Sequence, residues 1–450
     1  MNQEYNTIIE SIGIYLPPRV VSTKEILKGC RQKVRFPMER MTGIKNRRMA
    51  GETEFSIDLS KKAVEDCLAN SKYNPEDVEL LVCCNISRCD EPGFRFTAEP
   101  GTAVKLRAHF GFKNALVFDI TNACTGMWTG IYIVDAFLKL GIIRCGMVVS
   151  GEHITPLALT AQKEIKGFMD TRLACLTLGD AGAALILEKS AKPGVGLQKF
   201  EMFTLGKYSP FCIAKPSEES SEPIMLTELI KLSTVTLKYA MMLTEHVRKL
   251  SGWVPEDFHH IIMHQVSKIA TDDAKRQINK FYKKEICSDE NVIDNLSERG
   301  NTASTSHILA LKEFILRDKI KSGENILFTA TGSGLTVGAA FYTMDDLPDR
   351  LRRQAASGQG PEKITGAASR PVIPDKKQPA IRIESIGTAA KDKDVEKHSL
   401  KLIGSAAEDC FGKSSYDRGD IDLLLYAGVY RSDYIFEPAI PPMVPGDLKI

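Results

Sequence analysis

The chain has 450 residues, of which 43% are hydrophobic, and its formal net charge is only +2. This length suffices for two or three domain-sized units, and the near-neutral charge argues against nucleic acid or a charged membrane surface as the main partner. Eleven scattered cysteines are typical of a reducing cytosol rather than of a disulfide framework, so we predict a cytoplasmic protein.

Strands and helices alternate along most of the chain. The polar N-terminus does not have the form of a signal peptide, and no apolar run approaches the ~20 residues of a membrane span. Cys83, Cys84 and Cys89 lack the spacing of metal ligands, so no metal site is expected. Apolar periodicity predicts helices over residues 56–69, 131–140, 227–250 and 307–316, and strands over residues 78–85, 115–118, 146–150 and 325–331. This alternation predicts a layered α/β architecture.

One cysteine stands in a run of small residues, DITNACTGM (residues 119–127). The pattern places Cys124 between a short strand and a helix, close to the helix N-terminus. Unpaired N–H groups at such a position favour a thiolate, which is the form that attacks a thioester carbonyl. A buried structural cysteine is the alternative interpretation of this run alone.

Two later runs strengthen the catalytic interpretation. In FHHIIMHQ (258–265) an apolar strand leads into His264, and in RGNTASTS (299–306) a polar turn containing Asn301 leads into a helix. Strand ends are where α/β proteins commonly form sites. A cysteine nucleophile with His264 and Asn301 as donors to a developing oxyanion or enolate would suit acyl transfer. Singly, these residues could equally be a core histidine and a turn asparagine.

These three runs resemble the thiolase-fold condensing enzymes of the β-ketoacyl-acyl-carrier-protein synthase III type. That family has a D-x-x-x-A-C-x-G run, a His followed by Gln, and a G-N-T-[SA]-[SA] run. Three further segments agree in order: MTGIKNRR (41–48), LGDAGAA (178–184) and TGSGLTVG (331–338). The resemblance covers residues 5–345 and implies a five-layered αβαβα fold of two similar halves that meet near residue 190.

The resemblance also implies how the substrates are bound. Acyl-coenzyme A or acyl carrier protein would be the substrate, with no metal or organic cofactor. The carrier arm would contact Lys45, Arg47 and Arg48, and Lys268 is the candidate replacement for a family arginine whose position is Ile269 here. Backbone N–H groups of the glycine-rich loop would hold an oxyanion; its residues are Gly332, Ser333 and Gly334. The acyl tunnel would be walled by residues 154–175 and 202–222, with Phe168, Met169, Leu173 and Leu176 as candidate lining residues.

A second departure from the fatty-acid enzymes lies in FTAEPGTAV (96–104). The family usually has an aromatic residue before this proline, at a position that enters the partner's site across a homodimer interface. Glu99-Pro100 here resembles the subgroup that joins two acyl chains into olefin precursors, pyrones or dialkylresorcinols. A partly desolvated glutamate is a competent general base. The alternative is that Glu99 is a first-turn residue that the helix dipole stabilises, with Pro100 at the first helical position.

The last hundred residues begin to repeat the first hundred. IESIG occurs at 9–13 and at 383–387, Glu408-Asp409-Cys410 repeats an earlier EDC at 65–67, and Glu437-Pro438 repeats the Glu-Pro pair. We therefore predict four parts: a nucleophile-bearing half (1–190), a half bearing His and Asn (191–350), a linker (351–379) and a partial repeat (380–450). The repeat is either the start of a second unit in a longer tandem protein, which we favour, or a docked appendage.

The sequence thus predicts a homodimeric ketosynthase that catalyses Claisen condensation of two acyl thioesters through acyl-Cys124, in lipid-like secondary metabolism. One alternative is decarboxylative fatty-acid initiation or hydroxymethylglutaryl-thioester synthesis. The other is a non-catalytic subunit of a condensing heterodimer, although such subunits typically lack the Cys or the His that this chain retains.

Overall fold

The structure is a computed structural model that describes residues 6–35, 37–91, 95–96, 99–167, 169–364, 382–389 and 399–427. Two β-sheets form its centre. The first has the strand order β1-β9-β8-β4-β7 and the second the order β10-β15-β14-β13. The strands are β1 Thr7–Tyr15, β2 Arg19–Ser22, β3 Asn46–Met49, β4 Leu80–Cys83, β5 Cys89–Glu91, β6 Arg95–Phe96, β7 Leu116–Asp119, β8 Cys145–Glu152, β9 Ala181–Lys189, β10 Gly196–Thr204, β11 Cys212–Pro216, β12 Pro223–Thr227, β13 His260–Met263, β14 Asn325–Gly332 and β15 Thr336–Thr343.

Helices cover both faces of each sheet. They are α1 Thr23–Lys28, α2 Met38–Thr42, α3 Ser56–Ala69, α4 Thr102–Phe110, α5 Gly126–Lys139, α6 Pro156–Glu164, α7 Leu229–Ser251, α8 Lys268–Tyr282, α9 Leu296–Arg299, α10 Ser306–Leu316, α11 Leu347–Ser357 and α12 Ser399–Phe411. Helices α5 and α10 pack between the sheets, α3 and α4 cover the outer face of the first sheet, and α7 and α8 cover the outer face of the second. This is the predicted αβαβα layering.

The parallel strands explain where the candidate residues meet. β8 and β7 both pair parallel with β4, and β13 pairs parallel with β14. The chain leaves β7 toward Cys124 and leaves β13 toward His264. Because carboxyl ends of parallel strands share one sheet edge, these two segments lie at the edges where α/β sites form.

The two halves carry the same turn before their central helices. Ala123 and Ala303 both adopt the left-handed region, with φ of 47° and 49°. In each turn the following threonine donates its backbone N–H to a carbonyl three residues earlier, from Thr125 to Asn122 and from Thr305 to Thr302. A left-handed conformation is costly for a residue with a side chain and persists only where surrounding contacts impose it. Cys124 and Ser304 follow these alanines at equivalent positions of the two turns.

Most predicted elements lie within a few residues of the observed ones, and α3 has the predicted bounds. The prediction of a linker over residues 351–379 is wrong for its first residues. Helix α11 continues to residue 357 because Leu347 and Leu351 are buried against the core. Beyond it, the ammonium group of Lys363 donates to the carbonyl oxygens of Leu68, Ser71 and Tyr73 at 2.7–3.1 Å. Residues 351–364 are therefore packed on the two halves: Arg352 donates to the carbonyls of Ile315 and Ile320 in the second half, and Lys363 binds the first half.

Part of the predicted repeat has the local contacts of the first copy. The Ser385 hydroxyl lies 3.0 Å from the Cys410 thiol, as Ser11 lies 3.1 Å from Cys67. Glu384 accepts from a serine hydroxyl and the next backbone N–H, the pattern that Glu10 shows earlier in the chain. The linker residues 365–381 and the tail beyond 427, which includes the second Glu-Pro pair, lie outside the described residues.

Candidate active site

A single cavity of about 990 Å³ brings three predicted residues together. Cys124, His264 and Asn301 all line it, although they come from three separate parts of the chain. The volume lies at the upper end of the range typical of ligand pockets. The remaining lining is predominantly apolar and extends outward between α7 and α8.

Cys124 lies in a short 3₁₀ turn, Ala123–Thr125, directly before α5. It is partly exposed and is not part of a disulfide. The glycine-rich loop passes close to this turn: a Cβ atom added to Gly332 would lie 3.2 Å from the Cys124 nitrogen and 3.0 Å from the Thr125 nitrogen. Only glycine therefore fits beside the nucleophile without moving the turn.

His264 follows the last residue of β13, and its backbone N–H donates to the Thr329 carbonyl at 3.1 Å. Its Nδ1 atom lies 3.2 Å from the Ser306 hydroxyl. Burial, and secondly the charge that His307 would carry if protonated, lower the pKa of His264 to about 3. The imidazole is therefore neutral at physiological pH, and one of its nitrogens carries a proton.

Asn301 is held by the first half of the chain. Its backbone N–H donates to the Thr177 carbonyl at 2.9 Å, and its own carbonyl accepts from Gly179 at 3.0 Å. The side-chain oxygen accepts from the Ala303 N–H at 2.9 Å. Since the amide oxygen is occupied in this way, the side-chain NH₂ group is the part of Asn301 suited to donate into the cavity.

The glycine-rich loop contributes two of its three predicted residues to the cavity. Gly332 and Ser333 line it, whereas Gly334 is not among the lining residues. The loop connects β14 to β15, and the Thr336 hydroxyl lies 3.3 Å from the side-chain oxygen of Asn122. This contact ties the start of β15, directly after the loop, to the turn that carries the cysteine.

The four predicted carrier-arm residues occupy different environments. Lys45 and Lys268 line a second pocket of about 690 Å³, together with Lys24 and Arg40. Lys268 also pairs with Asp272 on its own helix at 2.9 Å. This pocket is a cationic feature next to the main cavity.

Arg47 cannot contact a ligand in this arrangement. Its guanidinium group is fully buried and donates to the Leu176 carbonyl at 2.5 Å and to the Thr23 hydroxyl at 2.6 Å. Arg48 donates to the carbonyls of Pro17 and Pro18 at 3.2 and 3.1 Å. For Arg47 the prediction was wrong, because alternate residues of the strand point to opposite faces and this one points inward.

Glu99 does not line the cavity of its own chain. It is exposed, before Pro100 and helix α4. A role for this carboxylate in the reaction therefore requires a second protomer.

The predicted walls are only partly those observed. Met169 and Leu173 line the cavity, whereas Leu176 is fully buried away from it and Phe168 lies outside the described residues. Helices α7 and α8 supply lining residues that the sequence did not single out; examples are Leu237, Met241, Ala274 and Ile278. Ser306 and His307 were also missed, although both directly follow the Asn301 turn.

Two family models match the chain in the halves that carry these residues. The model for 3-oxoacyl-(acyl carrier protein) synthase III matches residues 118–206, and the model for the C-terminal part of the same enzyme matches residues 249–344. Both segments are therefore similar to the 3-oxoacyl-(acyl carrier protein) synthase III family. The chain is an acyltransferase of the condensing type.

Relatives with assigned functions are synthase III enzymes by name. The β-ketoacyl-(acyl carrier protein) synthase III of Aliarcobacter butzleri is 28% identical over 348 residues, covering 74% of this chain and 96% of the relative. The enzyme of the same name from Rickettsia bellii is 26% identical over 330 residues, covering 73% and 96%. The similarity to these relatives therefore extends over about three quarters of the chain.

Solved structures share the fold. The 3-oxoacyl-(acyl carrier protein) synthase III of Aquifex aeolicus superposes with a TM-score of 0.63 at 24% identity, covering 75% of this chain and 99% of that one. A variant of Xanthomonas campestris OleA, crystallised with lauric acid and lauroyl-CoA, gives 0.65 at 22% identity, covering 76% and 99%. The thiolase fold predicted from the sequence is confirmed.

Within the described residues, no helix is long and apolar enough to cross a membrane. The same part of the chain contains no cluster of three or more His, Cys, Asp or Glu side chains arranged to hold a metal ion.

Proposed function

We propose that this protein is a member of the synthase III family and that it joins two acyl thioesters by Claisen condensation through an acyl-Cys124 intermediate. The observation that carries the proposal is that Cys124, His264 and Asn301 line one large, mainly apolar cavity. A thiol, two neutral hydrogen-bond donors and an apolar chamber are the groups that thioester condensation requires.

In this proposal Cys124 attacks the first thioester, forms a bond to its carbonyl carbon and releases the carrier thiol. The NH₂ group of Asn301 and a protonated nitrogen of His264 then donate to the oxygen of the second thioester as negative charge develops on it. The low pKa of His264 supports this role, because the ring donates one proton without carrying a full charge. Backbone N–H groups near Gly332 and Ser333, with Gly334 completing the loop, would hold the oxyanion at the acyl-cysteine.

Glu99 is the proposed base that removes the α-proton of the second thioester. Its exposure in one protomer supports action across a homodimer interface, into the cavity of the partner. If the second substrate instead loses CO₂, the carbanion forms without a base and Glu99 has no such role. This decarboxylative route, which the family resemblance implies, is the second candidate, and the similarity to relatives named β-ketoacyl-(acyl carrier protein) synthase III supports it.

Long acyl chains are the proposed substrates in lipid-like secondary metabolism, as in olefin-precursor, pyrone or dialkylresorcinol synthesis. The apolar extension of the cavity between α7 and α8 supports this choice. So does the likeness in fold to an OleA crystallised with lauroyl-CoA. The cationic pocket around Lys24, Arg40, Lys45 and Lys268 is suited to the phosphate of coenzyme A or of a carrier arm.

The test is intact-protein mass spectrometry after incubation with acyl-coenzyme A thioesters of increasing chain length, with Cys124→Ala as the control. A mass gain of one acyl group on the wild type alone is the expected result. Addition of a second thioester, with measurement of product mass and of released CO₂, then separates the two condensation routes. Acylation that persists in Cys124→Ala would contradict the proposed nucleophile.

We also propose the division into two halves near residue 190, with the partial repeat (380–450) as a separate part. The recurrence of the Ser–Cys and Glu–Ser contacts at Ser385 and Glu384 supports the second point.

A further inference from the structure

The residues behind His264 form a defined polar arrangement at the start of helix α10. Ser306 and His307 are both buried, with exposed fractions of 1% and 0%. Neither residue belongs to the predicted set of catalytic groups. The Ser306 hydroxyl lies 3.2 Å from Nδ1 of His264, and the His307 ring lies nearly parallel to the His264 ring, at 6.1 Å between centroids and an angle of 19°.

His307 has a defined tautomer. Its Nε2 atom lies 3.0 Å from the Thr329 carbonyl oxygen. A carbonyl only accepts hydrogen bonds, so Nε2 of His307 carries the proton. Burial lowers the pKa of His307 to about 4, so the ring is neutral and its Nδ1 atom is without a proton. That Nδ1 atom has no hydrogen-bond partner within the described residues.

The same Thr329 oxygen also accepts the backbone N–H of His264 at 3.1 Å. The Thr329 carbonyl therefore accepts from the backbone N–H of His264 and from the ring of His307, and the two rings are stacked. Trp128 of helix α5 closes the other side of His307, with ring centroids 5.7 Å apart and an angle of 87°. His307 thus fills the space between the helix that follows Cys124 and the ring of His264.

We infer that Ser306 and His307 are positioning residues that set which nitrogen of His264 carries the proton. In this inference the Ser306 hydroxyl is the donor in its 3.2 Å contact with Nδ1 of His264, so the proton of the neutral ring lies on Nε2, and His307 holds the ring in the orientation in which this bond forms. His264 is then a hydrogen-bond donor to the substrate oxygen and is not available as a base. This inference rests on the proposed function and specifies the role of His264 within it.

The consequence is a division of labour between the two steps. Formation of acyl-Cys124 does not depend on the Nε2 proton of His264. Stabilisation of the negative charge on the second thioester oxygen does depend on it. Loss of the Ser306 hydroxyl allows His264 to populate both neutral tautomers. One neutral hydrogen bond contributes about 1 kcal/mol, so we expect condensation to slow by about five- to tenfold while acylation remains within twofold.

The experiment records ¹⁵N spectra of the imidazole nitrogens in full-length protein labelled at its eight histidines. The His264 signals are assigned by their loss in His264→Gln. We expect the wild type to show the Nε2–H tautomer, Ser306→Ala to show a mixture, and Ser306→Thr, which retains the hydroxyl, to restore one tautomer. Thr305→Val is the matched control, because it removes a buried hydroxyl of the same turn that bonds to the Thr302 carbonyl.

The kinetic arm measures acylation by intact mass and condensation by product formation in the same variants. His307→Phe retains a flat ring but loses the bond to Thr329, and we expect it to slow condensation more than acylation. A wild-type His264 with its proton on Nδ1, or a Ser306→Ala enzyme with unchanged tautomer and condensation rate, would overturn the inference. Equal loss of both steps in Ser306→Ala would also overturn it, since that indicates a purely structural role. Failure of the proposed function is seen separately, as a wild type that is never acylated.

Discussion

Gly332 allows a direct test of how closely the glycine-rich loop and the nucleophile turn are fitted together. A Cβ atom at this position would lie 3.0 Å from the Thr125 nitrogen and 3.2 Å from both the Cys124 nitrogen and the Thr125 Cγ2 atom. Two of these neighbours are backbone atoms of the turn. In Gly332→Ala the turn and the loop therefore have to separate by a few tenths of an ångström.

The size of the effect follows from this displacement. A misplacement of 1 Å can lower a rate by about 100-fold, so a shift of roughly a third of that corresponds to a factor of about three to ten in acylation of Cys124. Overpacking in a well-packed interior also costs about 1–3 kcal/mol in the free energy of unfolding. We expect Gly332→Ala to show both effects.

The assay follows the acyl mass gain of Cys124 over time, and urea unfolding gives the free energy of unfolding. Gly338→Ala is the matched control, because its added Cβ would meet the flexible Met202 side chain at 3.1 Å and the Ala330 Cβ at 3.5 Å. It should acylate at the wild-type rate. Equal acylation rates in Gly332→Ala and Gly338→Ala would refute the reasoning.

Three further predictions concern the other proposed groups. Asn301→Ala should slow condensation by about 100- to 1000-fold, the usual effect of removing one oxyanion donor, and a loss below fivefold would exclude that role. Glu99→Gln should abolish condensation but leave acylation intact when both steps are measured by mass; wild-type product formation would contradict its role as base. The third concerns pH. Because the pKa values of His264 and His307 are lowered to about 3 and about 4 in the folded state, the unfolded chain takes up protons below about pH 6.5 that the native protein does not. The free energy of unfolding should therefore fall with decreasing pH by up to about 1.4 kcal/mol per pH unit for each histidine. Urea unfolding between pH 7 and 5 should show a shallower slope in His264→Gln, and an unchanged slope would contradict this explanation.

The sequence predicted the elements whose signals are local. Helix α3 has an apolar stripe and ends where it was predicted to end. Cys124, His264 and Asn301 stand in short runs with recognisable turn and strand patterns, and the cavity contains all three. The three central residues of the candidate site were therefore predictable from these local runs.

The surroundings of these three residues were not predictable in the same way. Arg47 resembles a ligand-binding arginine in the sequence, but the strand turns its side chain inward. Ser306 and His307 look like ordinary residues of a turn and a helix until β13 and β14 bring His264 beside them. These contacts join residues 24 to 43 positions apart in the chain, and no local pattern encodes which residues will face one another.

The partial repeat shows, within one chain, what the local sequence determines and what depends on contacts with distant residues. IESIG at 9–13 and at 383–387 makes the same Ser–Cys contact to a following helix in both places. Only the first copy is a strand. It is part of β1, which pairs with β9. Its Ile9 and Ile12 are buried with 6% and 0% exposure, whereas the corresponding Ile383 and Ile386 are 78% and 64% exposed. Local sequence thus determines turns, caps and short-range hydrogen bonds, while a strand and a buried core depend on partners from elsewhere in the fold, because backbone groups and apolar surface are satisfied only where another element covers them.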